Sequence, residues 1–165
     1  MITSEPAKAI FLDRDGVLNL ERGDYTWLLE DFKLNDEVID ALKIFRDRKY
    51  LLVVISNQSG IAKGIYAKEH VEYLHLHLIR VLKNHGIGLQ EIYYCPHHPG
   101  IGKCICRKPD SLLLEKAIAR FNIDAAKSYF IGDTDRDVEA GKKAGVVTIQ
   151  IRPNSSLMDV IHLVD

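Results

Sequence analysis

Five short apolar runs recur along the chain, and each is rich in β-branched or aromatic residues. They cover residues 8–12, 51–55, 91–94, 128–131 and 146–151. Continuous apolar runs of this length are typical of strands that are buried on both faces, as in parallel sheets. The pattern therefore predicts five buried strands.

Segments with helical periodicity lie between these runs. We predict helices over residues 36–48, from about 67 to 84, from near Pro109 and Asp110 onward, and over 135–144. The fourth helix should stop at Gly145, because glycine is the preferred residue just after a helix. The predicted inward positions are Val38, Leu42 and Phe45 in the first helix, and Leu113, Ala117 and Phe121 in the third.

The resulting order of elements is β-α-β-α-β-α-β-α-β. Such alternation predicts a three-layer α/β fold, in which helices cover both faces of a central five-stranded parallel sheet. In open sheets of this kind, ligands bind beyond the carboxyl ends of the strands. No linker or repeat divides the sequence, so we expect residues 1–165 to form one domain with its site at that edge of the sheet.

Composition and charge narrow the classes of partner. The 165 residues are 47% hydrophobic and 27% charged, with a formal net charge of -1. Because no cluster of basic residues is present, nucleic acid is not an expected partner. The first residues lack the apolar core of a signal peptide, and the apolar runs are too short to cross a bilayer. We expect a cytoplasmic monomer that does not associate with membranes.

Polar motifs follow the first four predicted strands, namely "DRDG", "SNQSG", the segment ending in "CRKP", and "GDTDRD". Asp13, Asp15 and Asp133 should therefore bring three carboxylates to one edge of the sheet. Crowded carboxylates need a cation, and oxygen ligands suit Mg²⁺. Ser56 and Lys108 supply donors for a phosphoryl group, and aspartate is a known nucleophile in phosphoryl transfer. The set predicts phosphoryl-transfer chemistry.

All three cysteines and two adjacent histidines lie within residues 93–110. Three thiols cannot all pair, and a disulfide between Cys104 and Cys106 would be strained. A thiol nucleophile would be redundant beside the aspartate. A closed site of three thiolates and one imidazole suits tetrahedral, structural Zn²⁺, although the spacing is tighter than in most zinc fingers. The candidate ligands are Cys95, His97, Cys104 and Cys106, with His98 as a competitor.

The four motifs occur in the order and approximate spacing of the haloacid dehalogenase (HAD) superfamily phosphatases, which the sequence resembles. The resemblance implies that Asp13 attacks phosphorus, and that Asp15 protonates the leaving oxygen and later deprotonates the hydrolytic water. It implies that Mg²⁺ is held by Asp13, the backbone carbonyl of Asp15, and Asp133, with Asp137 as an acidic support. The residues implied for binding the transferring group are Ser56 and Lys108.

A closer resemblance is carried by "FLDRDGVLN", "ISNQSGIAKG" and "IYYCPHHP" followed by "CICRKP". These motifs look like the heptose 1,7-bisphosphate phosphatases, with the histidinol-phosphate phosphatases a step further away, and the likeness covers residues 9–151. It implies a zinc loop over residues 95–106 in place of a cap domain, and it favours His97 as the zinc ligand. The substrate contacts that it implies are Glu21, Arg22, Gly23, Asp24, Ser56, Asn57, Gln58, Ser59 and Lys108.

A bisphosphate substrate needs a second basic group at the rim of the site. Arg107 is the first candidate, followed by Lys63, Arg22 and Arg136. Zinc binding at Cys106 would fix the point from which Arg107 and Lys108 reach the site, so we expect the zinc to act through positioning. The sugar preference is left open by two departures from the family pattern, the Thr134 position and the loop "ERGDYTW".

Three alternatives differ in function from a sugar-phosphate phosphatase. A histidinol-phosphate phosphatase would share the catalytic residues. A receiver-like signalling domain shares the architecture, but its phosphorylated aspartate follows the third strand, where this sequence has Cys95. A zinc-based binding module would leave the aspartates without a role. The remaining histidines, expected at the surface or on helix flanks, are His70, His75, His77, His85 and His162.

Overall fold

A five-stranded parallel sheet forms the centre of the computed structural model, which describes residues 5–165. Its strands are β1 (Ala9–Leu12), β2 (Leu51–Asn57), β3 (Glu91–Cys95), β4 (Tyr129–Gly132) and β5 (Val147–Gln150). The helices are α1 (Val38–Asp47), α2 (Lys68–Asn84), α3 (Leu112–Phe121) and α4 (Asp135–Ala144). Short 3-10 turns cover Leu29–Asp31, Ala125–Lys127 and Leu157–Leu163. The predicted three-layer α/β fold is confirmed.

The two faces of the sheet bury different side chains. Along β1, Ile10 and Leu12 pack in the cluster that includes the apolar faces of α1 and α2. The alternate residues Ala9 and Phe11 pack in the second cluster, with residues of α3 and α4. Successive side chains of a strand point to opposite faces, so a strand covered by helices on both sides must be apolar throughout. This explains the unbroken apolar run of β1.

The expectation of burial on both faces is wrong for the edge strand β5. Val147 is 46% exposed, and Gln150 is also exposed. The spatial order of the sheet is β3-β2-β1-β4-β5, so β5 has a neighbour on one side only. An apolar run alone does not distinguish a central strand from an edge strand, because both positions favour β-branched residues.

Helix ends follow local backbone conformation. The first helix begins at Val38, two residues later than predicted, because Glu37 adopts a left-handed conformation with φ 59°. Helix α4 has the predicted bounds, and Gly145 ends it with φ 78°. Glycine adopts positive φ at little cost, which makes it a reliable marker of a helix end. In α3, Leu113 and Ala117 are buried as predicted.

The sheet order places a topological switch point between β1 and β4. The chain moves outward from β1 through β2 to β3, then returns to the other side of β1 for β4 and β5. Loops that leave the carboxyl ends of β1 and β4 therefore diverge and open a crevice. Asp13 follows β1, and Asp133 follows β4.

The residues after β5 pack back onto the helix α1 side of the sheet. Leu157 is fully buried in the same cluster as α1. Arg48 donates to the Ile161 carbonyl at 2.9 Å, and the Tyr50 hydroxyl donates to the Asp165 carbonyl at 2.8 Å. Within residues 5–165, no helix combines the length and the hydropathy that crossing a bilayer would require.

His75 was expected at the surface or on a helix flank, and the surface position is wrong. It is 6% exposed on the inner face of α2, where its Nε2 lies 3.4 Å from Nη1 of Arg14 and its ring packs edge-on to Tyr94. Burial, together with the neighbouring Arg14 guanidinium, lowers the pKa of His75 to about 3. The imidazole is therefore neutral near pH 7 and accepts a hydrogen bond from the arginine.

We predict that His75 makes the protein less stable in acid. Between its ordinary pKa of 6.5 and its folded pKa of about 3, the unfolded chain binds a proton that the folded chain does not. The free energy of unfolding should fall as pH falls through this range, by up to about 1.4 kcal/mol per pH unit from this group. Urea unfolding at several pH values should show a shallower dependence for His75→Gln than for the parent, whereas the exposed-site control His85→Gln should not differ. Parallel curves for the parent and His75→Gln would contradict the assignment.

Candidate active site

A cavity of about 420 Å³ opens at the switch point. It collects residues from the ends of β1, β2 and β4 and from the loop before α3, as the strand-end motifs predicted. Tyr25 and Thr26, which the sequence motifs did not identify, also line it. The lining residues are Asp13, Asp15, Glu21, Gly23, Asp24, Tyr25, Thr26, Asn57, Gln58, Ser59, Arg107, Lys108, Asp133, Thr134, Arg136 and Asp137.

Three carboxylates converge at the base of this cavity. Oxygen atoms of Asp13, Asp133 and Asp137 all lie within 4.8 Å of one another. Burial raises the pKa of Asp13 to about 7 against the opposing effect of Lys108, and the charge of Asp137 adds to the rise. Burial and the charge of Asp137 also raise the pKa of Asp133 to about 6. Such a cluster, with oxygen donors only, fits a hard divalent cation such as Mg²⁺.

Glycines allow the carboxylates to approach this closely. Gly16 has φ +83°, and a Cβ there would lie 2.2 Å from Oδ2 of Asp133. At Gly132, a Cβ would lie 2.2 Å from the Cβ of Asp137. The "DG" of the first motif and the "GD" of the fourth are therefore required by the packing of the acidic cluster.

Lys108 supplies a buried positive charge among these acids. It is 2% exposed, and its Nζ lies 2.8 Å from Asp13 Oδ1 and 2.6 Å from Asp137 Oδ1. The ammonium also donates to the Ile55 carbonyl at 2.8 Å. Burial alone would lower the pKa of Lys108, but the two carboxylates outweigh it and raise the pKa above its ordinary value. The lysine is held in its charged form.

Asp137 is also fixed by the start of α4. Its carboxylate accepts hydrogen bonds from the backbone N–H and the hydroxyl of Thr134, at 3.0 and 2.7 Å. Burial acts to raise the pKa of Asp137, but Lys108 and Thr134 together hold it below its ordinary value. The Thr134 position, which the motif comparison left without a role, is thus a capping residue that orients an acidic group of the cluster.

The carboxylate of Asp15 lies apart from the acidic cluster. Its Oδ1 accepts from Asn19 Nδ2 at 2.9 Å, and its Oδ2 accepts from Gln58 Nε2 at 3.0 Å. The guanidinium of Arg14 adds contacts of 2.9 and 3.0 Å to the two oxygens. This arrangement fits the implication that Asp15 offers a backbone carbonyl to the metal and keeps its side chain for proton transfer.

The residues after β2 have distinct positions. Ser56 is 1% exposed and accepts a hydrogen bond from Gln58 at 2.8 Å, so its hydroxyl lies beneath the cavity lining. Asn57 exchanges two hydrogen bonds of 3.1 Å with the backbone of Lys108. Asn57 therefore connects the end of β2 to the loop that carries the lysine. Gln58 and Ser59 line the cavity directly.

The rim contains most of the predicted substrate residues. Glu21, Gly23 and Asp24 face the cavity, and so do the two basic candidates Arg107 and Arg136. The structure places two other basic candidates elsewhere. Arg22 forms an ion pair of 2.7 Å with Asp31, and Lys63 lies over the ring of Tyr25 at 5.5 Å.

The loop of residues 21–27, here called the rim loop, is fixed by contacts that the sequence did not reveal. Asn154, after β5, accepts from the backbone N–H of Glu21 at 2.7 Å and donates to the Glu21 carbonyl at 3.0 Å. The hydroxyl of Tyr25 lies 3.4 Å from that of Ser59, across the cavity mouth. Hydrogen bonds from Lys63 and Ser59 lower the pKa of Tyr25. The aromatic residues in "ERGDYTW" are the only sequence signal that this loop packs against the rest of the site.

The four predicted zinc ligands form a separate cluster beside the cavity. Their donor atoms lie within 4.8 Å of one another, and all three cysteines are free thiols. Cys95 Sγ lies 3.7 Å from Cys104 Sγ, 3.1 Å from Cys106 Sγ and 3.5 Å from His97 Nδ1. A tetrahedral site with Zn–S bonds of about 2.3 Å has sulfur atoms roughly 3.8 Å apart. The Cys95–Cys104 separation matches this spacing and the Cys95–Cys106 separation is shorter, while both exceed the length of a disulfide bond, about 2.05 Å.

His98 is turned away from this cluster. Its Nδ1 accepts from the backbone N–H of Gly100 at 3.1 Å. His97 instead brings its Nδ1 to within 3.3 Å of Cys106 Sγ. The geometry therefore favours His97 over the competitor, as the family resemblance implied.

Comparison with known proteins gives a consistent assignment. A family model described as HAD-hydrolase-like matches residues 105–157. The chain is 44% identical over 147 residues to the D-glycero-beta-D-manno-heptose-1,7-bisphosphate 7-phosphatase of Haemophilus ducreyi, covering 86% of this chain and 80% of that protein. It is 39% identical over 142 residues to the D-glycero-alpha-D-manno-heptose-1,7-bisphosphate 7-phosphatase of Campylobacter jejuni, with coverage of 86% and 80%.

A solved structure agrees with these sequence relatives. The crystal structure of D,D-heptose 1,7-bisphosphate phosphatase from B. bronchiseptica, complexed with magnesium and phosphate, superposes with a TM-score of 0.80 at 30% identity. The match covers 86% of this chain and 78% of that one. Sequence and fold thus identify the same relatives, and the chain belongs to the heptose-1,7-bisphosphate 7-phosphatase family of HAD-type phosphatases.

Proposed function

We propose that this phosphatase hydrolyses the 7-phosphate of D-glycero-D-manno-heptose 1,7-bisphosphate through an aspartyl-phosphate intermediate on Asp13. The observation that carries the proposal is the position of Asp13 at the base of the cavity, in contact with the buried ammonium of Lys108. Its Oδ1 also accepts the Arg14 backbone N–H at 2.7 Å, which fixes the orientation of the carboxylate.

The reaction has two steps, with Asp15 active in both. In the first, a carboxylate oxygen of Asp13 forms a bond to phosphorus while the bond to the sugar oxygen breaks, and Asp15 gives that oxygen a proton. In the second, Asp15 takes a proton from a water molecule, which attacks phosphorus and displaces the Asp13 carboxylate. Inorganic phosphate and the sugar 1-phosphate are the products.

The remaining residues of the site bind charge. Asp13, Asp133 and the backbone carbonyl of Asp15 would hold Mg²⁺, with Asp137 as a neighbouring acidic support. When bound, the ion would neutralise phosphoryl oxygens and orient the group for in-line attack. Lys108 adds a second positive charge beside the transferring phosphoryl group. Ser56 is the other residue assigned to binding that group.

The rest of the substrate would contact the rim. Arg107 and Arg136 are the cations assigned to the phosphate that is retained, and Glu21, Gly23 and Asp24 face the sugar. Asn57, Gln58 and Ser59 would contact the substrate from the β2 side, and Arg22 would join them only by leaving its ion pair with Asp31.

A phosphate-release assay tests the substrate. Both anomers of heptose 1,7-bisphosphate are included because relatives named for each anomer are similar to this chain. Turnover should require Mg²⁺ and exceed that on histidinol phosphate by at least about a hundredfold, since the rim cations would meet no second phosphate on histidinol phosphate. Asp13→Asn should abolish turnover and trapping by beryllium fluoride. Equal or faster turnover of histidinol phosphate would contradict the substrate, and an active Asp13→Asn variant would contradict the mechanism.

We predict a specific role for Gly16 in metal binding. Gly16→Ala forces a left-handed alanine, which costs about 1–2 kcal/mol, and also displaces Asp133 from the acidic cluster. Gly64→Ala is the matched control, because Gly64 has φ +69° and a Cβ added there would meet no heavy atom within 4 Å. In urea, Gly16→Ala should lose at least as much stability as Gly64→Ala, because both carry the backbone strain and only Gly16→Ala also displaces Asp133. Only Gly16→Ala should require about tenfold or more Mg²⁺ for half-maximal turnover, and identical Mg²⁺ curves would refute the role.

We also propose that Cys95, His97, Cys104 and Cys106 hold a structural Zn²⁺. With four protein ligands the ion would have no open position for substrate, so it would act by holding the loop. That loop continues directly into Arg107 and Lys108. The Arg107 guanidinium also donates to the His97 carbonyl at 3.1 Å, within the same loop.

Cys104→Ser tests this zinc assignment. The variant should lose the single equivalent of zinc measured by elemental analysis, melt at a lower temperature, and show a kcat reduced on the order of ten- to a hundredfold through misplaced Lys108. His98→Ala should keep its zinc and its melting temperature. A parent protein without zinc, or a Cys104→Ser variant with unchanged turnover and melting, would count against the proposal.

A further inference from the structure

Arg14 is a charged side chain buried completely beneath the candidate active site. It lies between the two aspartates of the first motif, is 0% exposed, and is the largest of the fully buried side chains among the described residues. Arginine stays charged in proteins, so its burial requires partners for the guanidinium. The Arg14 side chain has no part in the metal binding, phosphoryl binding, proton transfer or substrate contacts proposed for this site.

The guanidinium is directed at the carboxylate of Asp15. Nη2 donates to Asp15 Oδ1 at 2.9 Å and to Oδ2 at 3.0 Å, and Nε donates to Oδ1 at 3.2 Å. The two residues are adjacent in sequence, yet their side chains form a three-contact ion pair on the buried side of the cavity. Contacts of this kind fix the rotation of the carboxylate as well as its position.

Arg14 is itself held from behind. Nη2 also donates to the Thr26 carbonyl at 2.8 Å, and Nη1 lies 3.4 Å from Nε2 of His75. Because the His75 imidazole is buried and packed against Tyr94, it supplies a fixed acceptor. Contacts with Asp15 in the loop after β1, with the rim loop and with α2 therefore restrain one side chain.

Other side chains complete the setting of Asp15. Asn19 donates to its Oδ1, and Gln58 donates to its Oδ2. Gln58 is oriented in turn by the hydroxyl of Tyr66, which donates to its Oε1 at 3.0 Å. Asp15 still lines the cavity, with 23% of its side chain exposed. Its contacts thus leave part of the carboxylate accessible to substrate.

Stability alone is a weak explanation for this ion pair. Burying a charged pair costs desolvation energy, and apolar residues of similar volume stabilise a core at least as well. Proton transfer, by contrast, requires the acid or base to lie within hydrogen-bond reach of the reacting oxygen, and a displacement of about 1 Å can reduce the rate on the order of a hundredfold.

We propose that Arg14 is a positioning residue, which holds the Asp15 carboxylate where it can exchange a proton with the leaving oxygen and then with the attacking water. The proposal rests on the proposed function, in which Asp15 is the acid and base. Arg14 itself transfers no proton. The substitution Arg14→Lys would keep the positive charge but lose the planar guanidinium that contacts both carboxylate oxygens.

The test compares two leaving groups in Arg14→Lys. The sugar oxygen must be protonated in order to leave, whereas p-nitrophenolate is a stable anion that leaves without a proton. On heptose 1,7-bisphosphate, kcat should fall about a hundredfold with KM changed by less than about threefold. With p-nitrophenyl phosphate, rapid mixing should show a burst of about one equivalent of nitrophenolate, followed by slow turnover, because water attack still needs Asp15. Arg80→Lys, on the exposed face of α2, should behave as the parent.

The burst separates positioning from a loss of folded protein. Partial unfolding would lower both rates by one factor and shrink the burst in proportion, and that result would overturn the proposal, as would an unchanged kcat. If Arg14→Lys does not fold, His75→Leu decides, because it removes only the acceptor behind Nη1. It should show a smaller kcat loss with the same burst, and parent-like kinetics would overturn the proposal.

Asp15→Asn distinguishes the two levels of inference. If that variant keeps full turnover, the acid and base role of Asp15 fails, and with it the proposed mechanism. If Asp15→Asn is slow and shows the burst while Arg14→Lys behaves as the parent, the mechanism stands and only the role of Arg14 is wrong.

Discussion

The buried ammonium of Lys108 is the interaction on which the arrangement of this site depends. It lies between Asp13 and Asp137 and also binds the Ile55 carbonyl at the end of β2. Without a positive charge at this point, the carboxylates at the switch point would repel one another in a poorly hydrated space. Lys108 offsets part of that negative charge, and a divalent cation can offset the rest.

The geometry around Lys108 links parts of the fold that are distant in sequence. Asn57 binds the lysine backbone from β2, and the Cys/His loop precedes it directly. The sheet thus fixes one side of the lysine segment, and the clustered thiols and imidazole fix the other. Residues 13–50, between β1 and β2, hold only a 3-10 turn and α1, so the basic rim comes from elsewhere: the loop after β3 supplies Arg107, and the start of α4 supplies Arg136.

Much of this arrangement could be predicted from the sequence because it follows from order and spacing. The alternation of apolar runs and helical segments specifies a parallel sheet, and parallel strands bring their carboxyl ends together. This order predicts that Asp13, Asp133 and Lys108 lie at one edge of the sheet, and all three line the same cavity. The clustering of Cys95, Cys104 and Cys106 with two histidines could be read from the sequence because thiols and imidazoles are rare, whereas the choice of His97 over His98 rested on the family resemblance.

The errors and omissions share a different cause. Whether β5 is an edge strand depends on sheet order, which an apolar run does not encode. His75 and Arg14 have ordinary surface-type side chains, and only the tertiary structure buries them against each other. Asn154 contacts Glu21, which is 133 residues away in sequence, so no local sequence pattern predicts the contact. Each depends on long-range packing and not on residue type.

Asn154 has a consequence for how substrate preference can evolve. It occupies a left-handed backbone position with φ 66°, which few residue types tolerate, and it holds the loop that faces the cavity without lining the cavity itself. A substitution at Asn154 would therefore reposition this loop and reshape the cavity, while every cavity-lining residue stays unchanged.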